Sequence, residues 1–246
     1  MLVGLSIGLV AFAAHSAVIF TGSSGGRSAS VSFDVFAPNL LVVTLTNTSG
    51  ADALVPTDIL TGVFFNLAGN PLLSEVSARS GGPTYLNGLQ ASAALGGPAG
   101  SNVGGEWAYA NGLSQYAANS GISSSGLGLF GGGTFLGANL DGPPSGAVDG
   151  LQYGITTAGD NLATGNTALM TNEITKNSVQ FALGGFLGSL SDISNVTFQY
   201  GTALTEPSVP GRPGQGGSVP EPGSLALLAT GLLGVAGWVR RRRPEA

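Results

Sequence analysis

The sequence predicts an all-β fold, an antiparallel β-sandwich or jelly-roll-like domain. Short segments alternate apolar and polar residues with a period of two, and β-branched side chains are frequent in them. Glycine accounts for 42 of 246 residues and clusters between these segments, which is typical of tight turns. The central part of the chain shows no long amphipathic helix pattern. Many short strands with glycine-rich turns favour a two-sheet all-β architecture.

The alternation is clearest near the start of the predicted domain. Val31, Phe33 and Val35 share one face of an extended segment, and the segment at 40–47 repeats the pattern with Thr44 and Thr46 on its polar face. The same reasoning predicts strands at residues 30–36, 40–47, 60–67, 72–78, 148–155, 178–183 and 195–200.

Two stretches lack this regularity. Residues 81–146 are rich in Gly, Ala, Ser and Asn, which predicts long loops and short strands, with a helical turn near residues 113–118. Residues 203–218 contain three prolines and four glycines and show no periodicity. That composition predicts a linker, so we expect the folded domain to span residues 17–202 and the linker residues 203–218.

The N-terminal segment predicts export. Residues 2–14 are apolar and uncharged, and Ala14-His15-Ser16-Ala17 supplies small residues for a cleavage after Ser16. This arrangement is typical of a secretory signal peptide at residues 1–16. A buried N-terminal strand or helix is the alternative.

The C-terminal segment, residues 219–246, has three parts in order. An extended, proline-bounded motif is followed by an uncharged apolar run at 223–239 and then a basic cluster. As a helix the run would be about 26 Å long, just short of a hydrocarbon core of about 30 Å. The arginines would hold its far end in the cytoplasm. The motif consists of Val219, Pro220, Glu221 and Pro222, and the basic cluster of Arg240, Arg241, Arg242 and Arg243.

This three-part tail resembles the PEP-CTERM sorting signal of bacterial exosortase substrates. The resemblance implies recognition by a membrane exosortase, removal of the tail, and release or attachment at the surface of a Gram-negative cell. An ordinary single-pass anchor is the alternative. Segments between residues 148 and 206 resemble the recurring ectodomain of one group of exosortase-dependent surface proteins, a group that implies no particular chemistry.

Composition excludes several functions for the predicted mature chain. Residues 17–219 contain eleven acidic and four basic residues, a net charge of −7, which argues against a nucleic-acid partner. The chain has no cysteine, and its one histidine, His15, lies in the predicted signal peptide. Nucleophilic sites built on His or Cys and His-based metal sites are therefore excluded in residues 17–219.

Two groups of residues are candidates for binding. Trp107 and Tyr109 beside Glu106 could stack on a sugar ring and present a carboxylate, with a place in the core as the alternative for Trp107. Asp141, Asp149 and Asp160 lie in loop-like sequence and are weak candidates for calcium ligands, with solvated turn aspartates as the alternative. We expect no other cofactor.

The sequence thus predicts a non-enzymatic exported protein of the cell surface, outer membrane or extracellular matrix, attached transiently to the inner membrane. Its expected partners are an exosortase, the membrane before processing, and extracellular polysaccharide, so that its role would be structural or adhesive, as in a biofilm. A carbohydrate-binding module is the second hypothesis. A third, an exported glycosidase, would need a pair of carboxylates.

Overall fold

The computed structural model describes residues 17–91, 97–131, 133–137, 139–140, 148 and 150–214. Fifteen strands and one four-residue helix, α1 (Thr167–Met170), occur among them. One compact unit covers Ala17–Gln215. The strands are β1 (Val18–Ser24), β2 (Arg27–Ala37), β3 (Leu40–Asn47), β4 (Leu60–Asn66), β5 (Ser74–Ser80), β6 (Thr84–Leu86), β7 (Leu89–Gln90), β8 (Ala108–Asn111), β9 (Ser120–Ser123), β10 (Ile155–Thr156), β11 (Ile174–Lys176), β12 (Ser178–Gly184), β13 (Ser194–Tyr200), β14 (Ser208–Pro210) and β15 (Arg212–Pro213).

Six strands form the first sheet in the order β15-β1-β2-β3-β12-β5, and every neighbouring pair is antiparallel. The hairpin between β1 and β2 turns on Gly25 and Gly26, with φ of 57° and 83°. Two consecutive residues with positive φ match the tight turn that suits twisted strands, and glycine adopts it without strain. At the other end of β2, Asn39 takes φ 67° in the turn to β3.

The second sheet runs in the order β14-β13-β4-β10-β11-β6-β7, and β9 pairs with both β4 and β8. One neighbouring pair, β10 and β11, is parallel, so this sheet is mixed. The described residues therefore confirm the prediction of an all-β domain. The predicted signal peptide and sorting helix lie outside them.

The two sheets face each other across one apolar core. Inward residues of β2 and β3 pack against residues of β4 and β13 in a single buried cluster. The rings of Phe33 on β2 and Phe65 on β4 meet edge to face with centroids 5.0 Å apart. Burying one such side chain is worth about 1.5–3 kcal/mol, so this cluster supplies the main stabilisation of the domain.

Most predicted strands agree with the structure, and one does not. Those predicted at 30–36, 40–47, 60–67, 72–78, 178–183 and 195–200 correspond to β2, β3, β4, β5, β12 and β13. The strand predicted at 148–155 is wrong over most of its length, because residues 150–153 form bends and turns and a strand begins only at Ile155. Leu151 and Tyr153 are buried nonetheless. Their alternation reflects a loop packed into the core rather than a sheet.

The predicted linker at 203–218 is also wrong for its described part. β14 pairs with β13 at the edge of the second sheet, and β15 pairs with β1 at the edge of the first. Val209 on β14 is 2% exposed. These strands are too short to show a period, and proline is tolerated on edge strands because one side needs no N–H donor. The folded domain therefore extends to residue 214 rather than ending at 202.

Candidate functional site

The outward face of the first sheet carries a regular array of hydroxyl groups. The inward residues of β2 and β3 are apolar, so the alternate positions face outward, and on these strands many of them are Ser or Thr. The pairing places Thr21, Ser30 and Thr46 in one row across three strands, with Ser32 opposite Thr44 in the next row. We call Thr21, Ser23, Ser28, Ser30, Ser32, Thr44 and Thr46 the hydroxyl face.

Most hydroxyls of this face are not used within the protein. Thr44 accepts a hydrogen bond from Gln180 Nε2 at 3.4 Å, and Ser28 accepts one from the Thr48 hydroxyl at 3.1 Å. The side chains of Thr21, Ser23, Ser30, Ser32 and Thr46 make no hydrogen bond to the described part of the chain. Each such hydroxyl can donate one hydrogen bond and accept others. Within a row, residues on neighbouring strands lie about 4.8 Å apart, and successive rows on this face lie about 6.8 Å apart along the strands.

A polar groove borders this face near the β1–β2 turn. Its volume is about 630 Å³, and Thr21, Ser23 and Ser28 line it together with Arg212. β14 approaches β1 closely here. A Cβ at position 22 would lie only 2.5 Å from the Pro210 carbonyl oxygen, so a residue larger than Gly22 would clash. Glycine at this position allows the edge strand to close the groove. Arg212 is exposed and supplies its positive charge.

The structure contradicts a glycan-binding patch at Trp107 and Tyr109. Trp107 is 0% exposed, and its ring lies 4.9 Å from the ring of Phe181 on the opposite sheet. Tyr109 is buried as well, and its hydroxyl donates to the Pro71 carbonyl oxygen at 3.0 Å. Rings without an exposed surface cannot stack on a sugar. The alternative, that Trp107 belongs to the core, is confirmed.

Glu106 is also inaccessible. It lies in the 3₁₀ turn Gly104–Glu106, it is fully buried, and its Oε1 accepts a hydrogen bond from the Leu140 backbone N–H. A carboxylate in this position cannot reach a polymeric substrate.

Burial, followed by the negative charges of Glu173 and Glu106, raises the pKa of the Tyr153 phenol far above its usual 10, so this tyrosine stays neutral.

Asp160 serves the fold through both of its carboxylate oxygens. Oδ1 accepts from the Ala53 backbone N–H at 3.0 Å, and Oδ2 accepts from the Thr156 hydroxyl. Burial raises its pKa above the usual 3.8, partly offset by these hydrogen bonds. The other two candidate calcium ligands, Asp141 and Asp149, lie outside the described residues. Within the described residues, no three acidic, His or Cys side chains converge as a metal site would require.

Two further aspartates stabilise the loops near the Gly25–Gly26 turn. Asp58 pairs with Arg27 at 2.8 Å and also accepts the backbone N–H groups of Leu54 and Val55. Asp52 accepts from the Asn161 backbone N–H at 3.1 Å. Both carboxylates thus have a structural role in holding these loops together.

Sequence reasoning missed the hydroxyl face, although its signal was visible. The alternation that predicted β2 and β3 placed their apolar positions in the core and Thr44 and Thr46 on a polar face, but no function was assigned to that face. The complementary positions, where Ser28, Ser30, Ser32, Thr44 and Thr46 carry hydroxyls, define the outward surface. The hairpin partner β1 was not predicted, because its alternation is interrupted by Gly22 and ends in small polar residues.

A family model for the PEP-CTERM protein-sorting motif matches residues 218–243. The chain therefore carries a PEP-CTERM sorting motif, as the resemblance of its tail implied. The motif indicates exosortase-dependent sorting of an exported protein, with transient membrane attachment and delivery to the cell surface.

The matched residues include Val219, Pro220, Glu221, Pro222 and the four arginines at 240–243, all outside the described residues. In the part of the chain that the structure covers, no helix has the length and apolar character needed to cross a membrane. No curated protein and no solved structure matches the chain significantly. The resemblance of residues 148–206 to a recurring ectodomain stays a prediction.

Proposed function

We propose that this exosortase-sorted protein is a non-enzymatic adhesive component of the cell surface or extracellular matrix, and that it binds extracellular polysaccharide through the hydroxyl face. The observation that carries the proposal is the set of ordered, unused hydroxyls on β1, β2 and β3. Polysaccharides offer the complementary chemistry, because their own hydroxyls both donate and accept hydrogen bonds.

The shape and charge of this face favour a neutral polymer over a small ligand. The hydroxyls lie on an open sheet surface and a shallow groove, whereas small molecules are usually enclosed by concave, mostly apolar pockets. The strands that form the face contribute one outward ionisable group within it, Asp34, and Arg212 lies at its border. Individual hydrogen bonds to water-exposed hydroxyls contribute only about 1 kcal/mol, so binding would depend on many contacts along one chain.

The test removes hydroxyls without changing the shape of the face. We expect Thr21→Val, Ser30→Ala and Thr46→Val together to reduce co-sedimentation with the purified extracellular polysaccharide of the producing cells at least tenfold. Valine keeps the shape and strand preference of threonine, so the unfolding transition should stay unchanged. The double variant Ser189→Ala, Ser191→Ala removes two exposed hydroxyls elsewhere and serves as the matched control.

Two outcomes would contradict the proposal. Polysaccharide binding that is equal in the triple variant and in the control would exclude the hydroxyl face, and a complete lack of binding by the unaltered protein would exclude adhesion to this polymer. Shortening of the polysaccharide during incubation would instead indicate hydrolysis. The assignment of the sorting motif would hold in each case, since it does not depend on what the domain binds.

A further inference from the structure

Three exposed apolar side chains lie at one end of the first sheet, the end toward which β15 runs. Phe36 is 76% exposed, Leu72 79% and Leu187 84%. They belong to three separate segments, the end of β2, the loop before β5 and the loop after β12. Exposed apolar clusters of this kind mark interaction surfaces.

The sheet register places the three segments together. Leu40 on β3 pairs with Gly184 on β12, and Gly184 pairs with Ser74 on β5. These three paired residues form the last row of the first sheet at this end. The Asn39 carbonyl oxygen, in the β2–β3 turn, accepts the backbone N–H groups of Gly185 and Phe186 at 2.9 and 3.2 Å. This contact fixes the β2–β3 turn against the loop that carries Leu187.

A β-bulge lies at Phe36. The pairing of β2 with β3 shifts register between Val35 and Ala37, which leaves Phe36 as the extra residue. Bulges re-aim a side chain and are common near functional surfaces. Because Val31, Phe33 and Val35 point inward, alternation already places Phe36 on the outward side of β2, where it is 76% exposed.

The C-terminal segment runs toward the same end. β15 pairs antiparallel with β1, so that residues 212 to 214 pass from Thr21 toward Ile19, and the Gly214 backbone N–H donates to the Ile19 carbonyl oxygen at 2.8 Å. β1 begins opposite Phe33, three residues before Phe36. Eight residues, 215–222, lie between Gly214 and Gly223, where the apolar run begins, and the nine steps from Gly214 to Gly223 span at most about 32 Å when fully extended.

We propose that this end of the domain, through Phe36, Leu72 and Leu187, rests on the outer surface of the inner-membrane bilayer while the tail is still attached. The short tether keeps the domain at a high local concentration near the lipid, so a weak apolar contact suffices. The contact would hold the domain in one orientation before processing, and cleavage of the tail would remove the tether that maintains it.

The charges at this end favour neutral over anionic lipid. The ionisable side chains nearest to the three apolar residues along their segments are Asp34 on β2, Glu75 on β5 and Asp192 after Leu187. All three are acidic and would be repelled by an anionic surface. The inference rests on the sorting motif and the fold, and it is independent of polysaccharide binding.

Site-specific labelling tests the proposal directly, because the chain contains no cysteine of its own. The full-length protein is reconstituted in phosphatidylcholine vesicles with a fluorophore on Phe36→Cys, Leu72→Cys or Leu187→Cys. The control is Leu54→Cys, an exposed leucine in the loop beside the Gly25–Gly26 turn at the opposite end of the sheet. We expect quenchers attached to the lipid to quench the first three labels several-fold more strongly than the control label.

A second variant tests whether the apolar side chains cause the contact. Phe36→Ser with Leu187→Ser should reduce lipid quenching of the label at position 72 several-fold, whereas Leu54→Ser should not. Replacing half of the phosphatidylcholine by phosphatidylglycerol at low salt should also reduce it. Equal quenching at all four positions, or shielding of the three labels from both lipid and aqueous quenchers, would overturn the proposal, the latter because it indicates a protein partner.

Discussion

The replacement Val209→Ala tests whether residues 208–214 belong to the folded domain. A linker valine would be exposed, and its truncation would change the free energy of unfolding by less than about 0.5 kcal/mol. Here Val209 is 2% exposed, pairs with Phe198 and belongs to the central apolar cluster. Removing two buried carbons costs about 1.6 kcal/mol of transfer free energy, and the cavity left behind adds to this. We expect a loss of about 2–3 kcal/mol.

Equilibrium unfolding in urea of a chain ending at residue 220 measures this loss. Trp107 is then the sole tryptophan, and because it is buried its fluorescence reports the core. A loss of about 2 kcal/mol should lower the urea midpoint by roughly 1 M for a slope of about 2 kcal/mol per molar. Val55→Ala is the matched control, because Val55 is 41% exposed and loses the same two carbons.

Two results would refute the reasoning. Equal midpoints for Val209→Ala and Val55→Ala would mean that β14 contributes nothing to stability and that the sequence-based prediction of a linker was adequate. A change in slope without a change in midpoint would indicate altered compactness rather than a lost contact.

The remaining predictions concern the core, a buried carboxyl and the tail. Trp107→Ala should destabilise the domain by about 3–5 kcal/mol in thermal unfolding followed by circular dichroism, and a stability equal to the unaltered protein would contradict its place in the core. Because burial raises the pKa of Asp160 above 3.8, its contribution to stability is fully present below that pH and is lost as the pH rises through the folded-state pKa. The unfolding free energy of Asp160→Asn relative to the unaltered protein should therefore rise as the pH is raised from below 3.8 through the folded-state pKa, and a constant difference would argue against a raised pKa. Intact mass of the protein recovered from cells should lack Arg240 to Arg243, and a mature species that retains them would contradict tail removal.

Sequence patterns predicted most of the long strands, although not the seven-residue β1, and predicted the short ones poorly. β2, β3, β12 and β13 carry seven or more residues, enough for an alternation to be recognised. β10, β14 and β15 have two or three residues, and their pairing depends on partners far away in the sequence. A period-two pattern needs about four residues to be detected, so such strands become visible only once the sheets are assembled.

The candidate sites show the same division. Glu106, Trp107 and Tyr109 suggested a sugar site because their chemistry is suitable, but chemistry alone does not indicate exposure. Solvent access depends on which residues cover them, and Phe181, more than seventy positions away, covers Trp107. The serines and threonines of β2 and β3 do not individually indicate a binding site. They form a surface only because strand pairing brings three segments into register.

The sequence by itself determined the destination of the protein. Its sorting motif is contiguous, because a proline-bounded segment, an apolar run and an arginine cluster act in linear order. It also determined the all-β class, since alternation and glycine-rich turns are local properties of the chain. The tertiary structure decided which residues are exposed to solvent. It buries Trp107 and pairs β14 and β15 with one sheet each. It also brings the exposed side chains of Phe36, Leu72 and Leu187 to one end of the first sheet. Exposure and proximity arise from contacts between distant segments, and no local pattern encodes them.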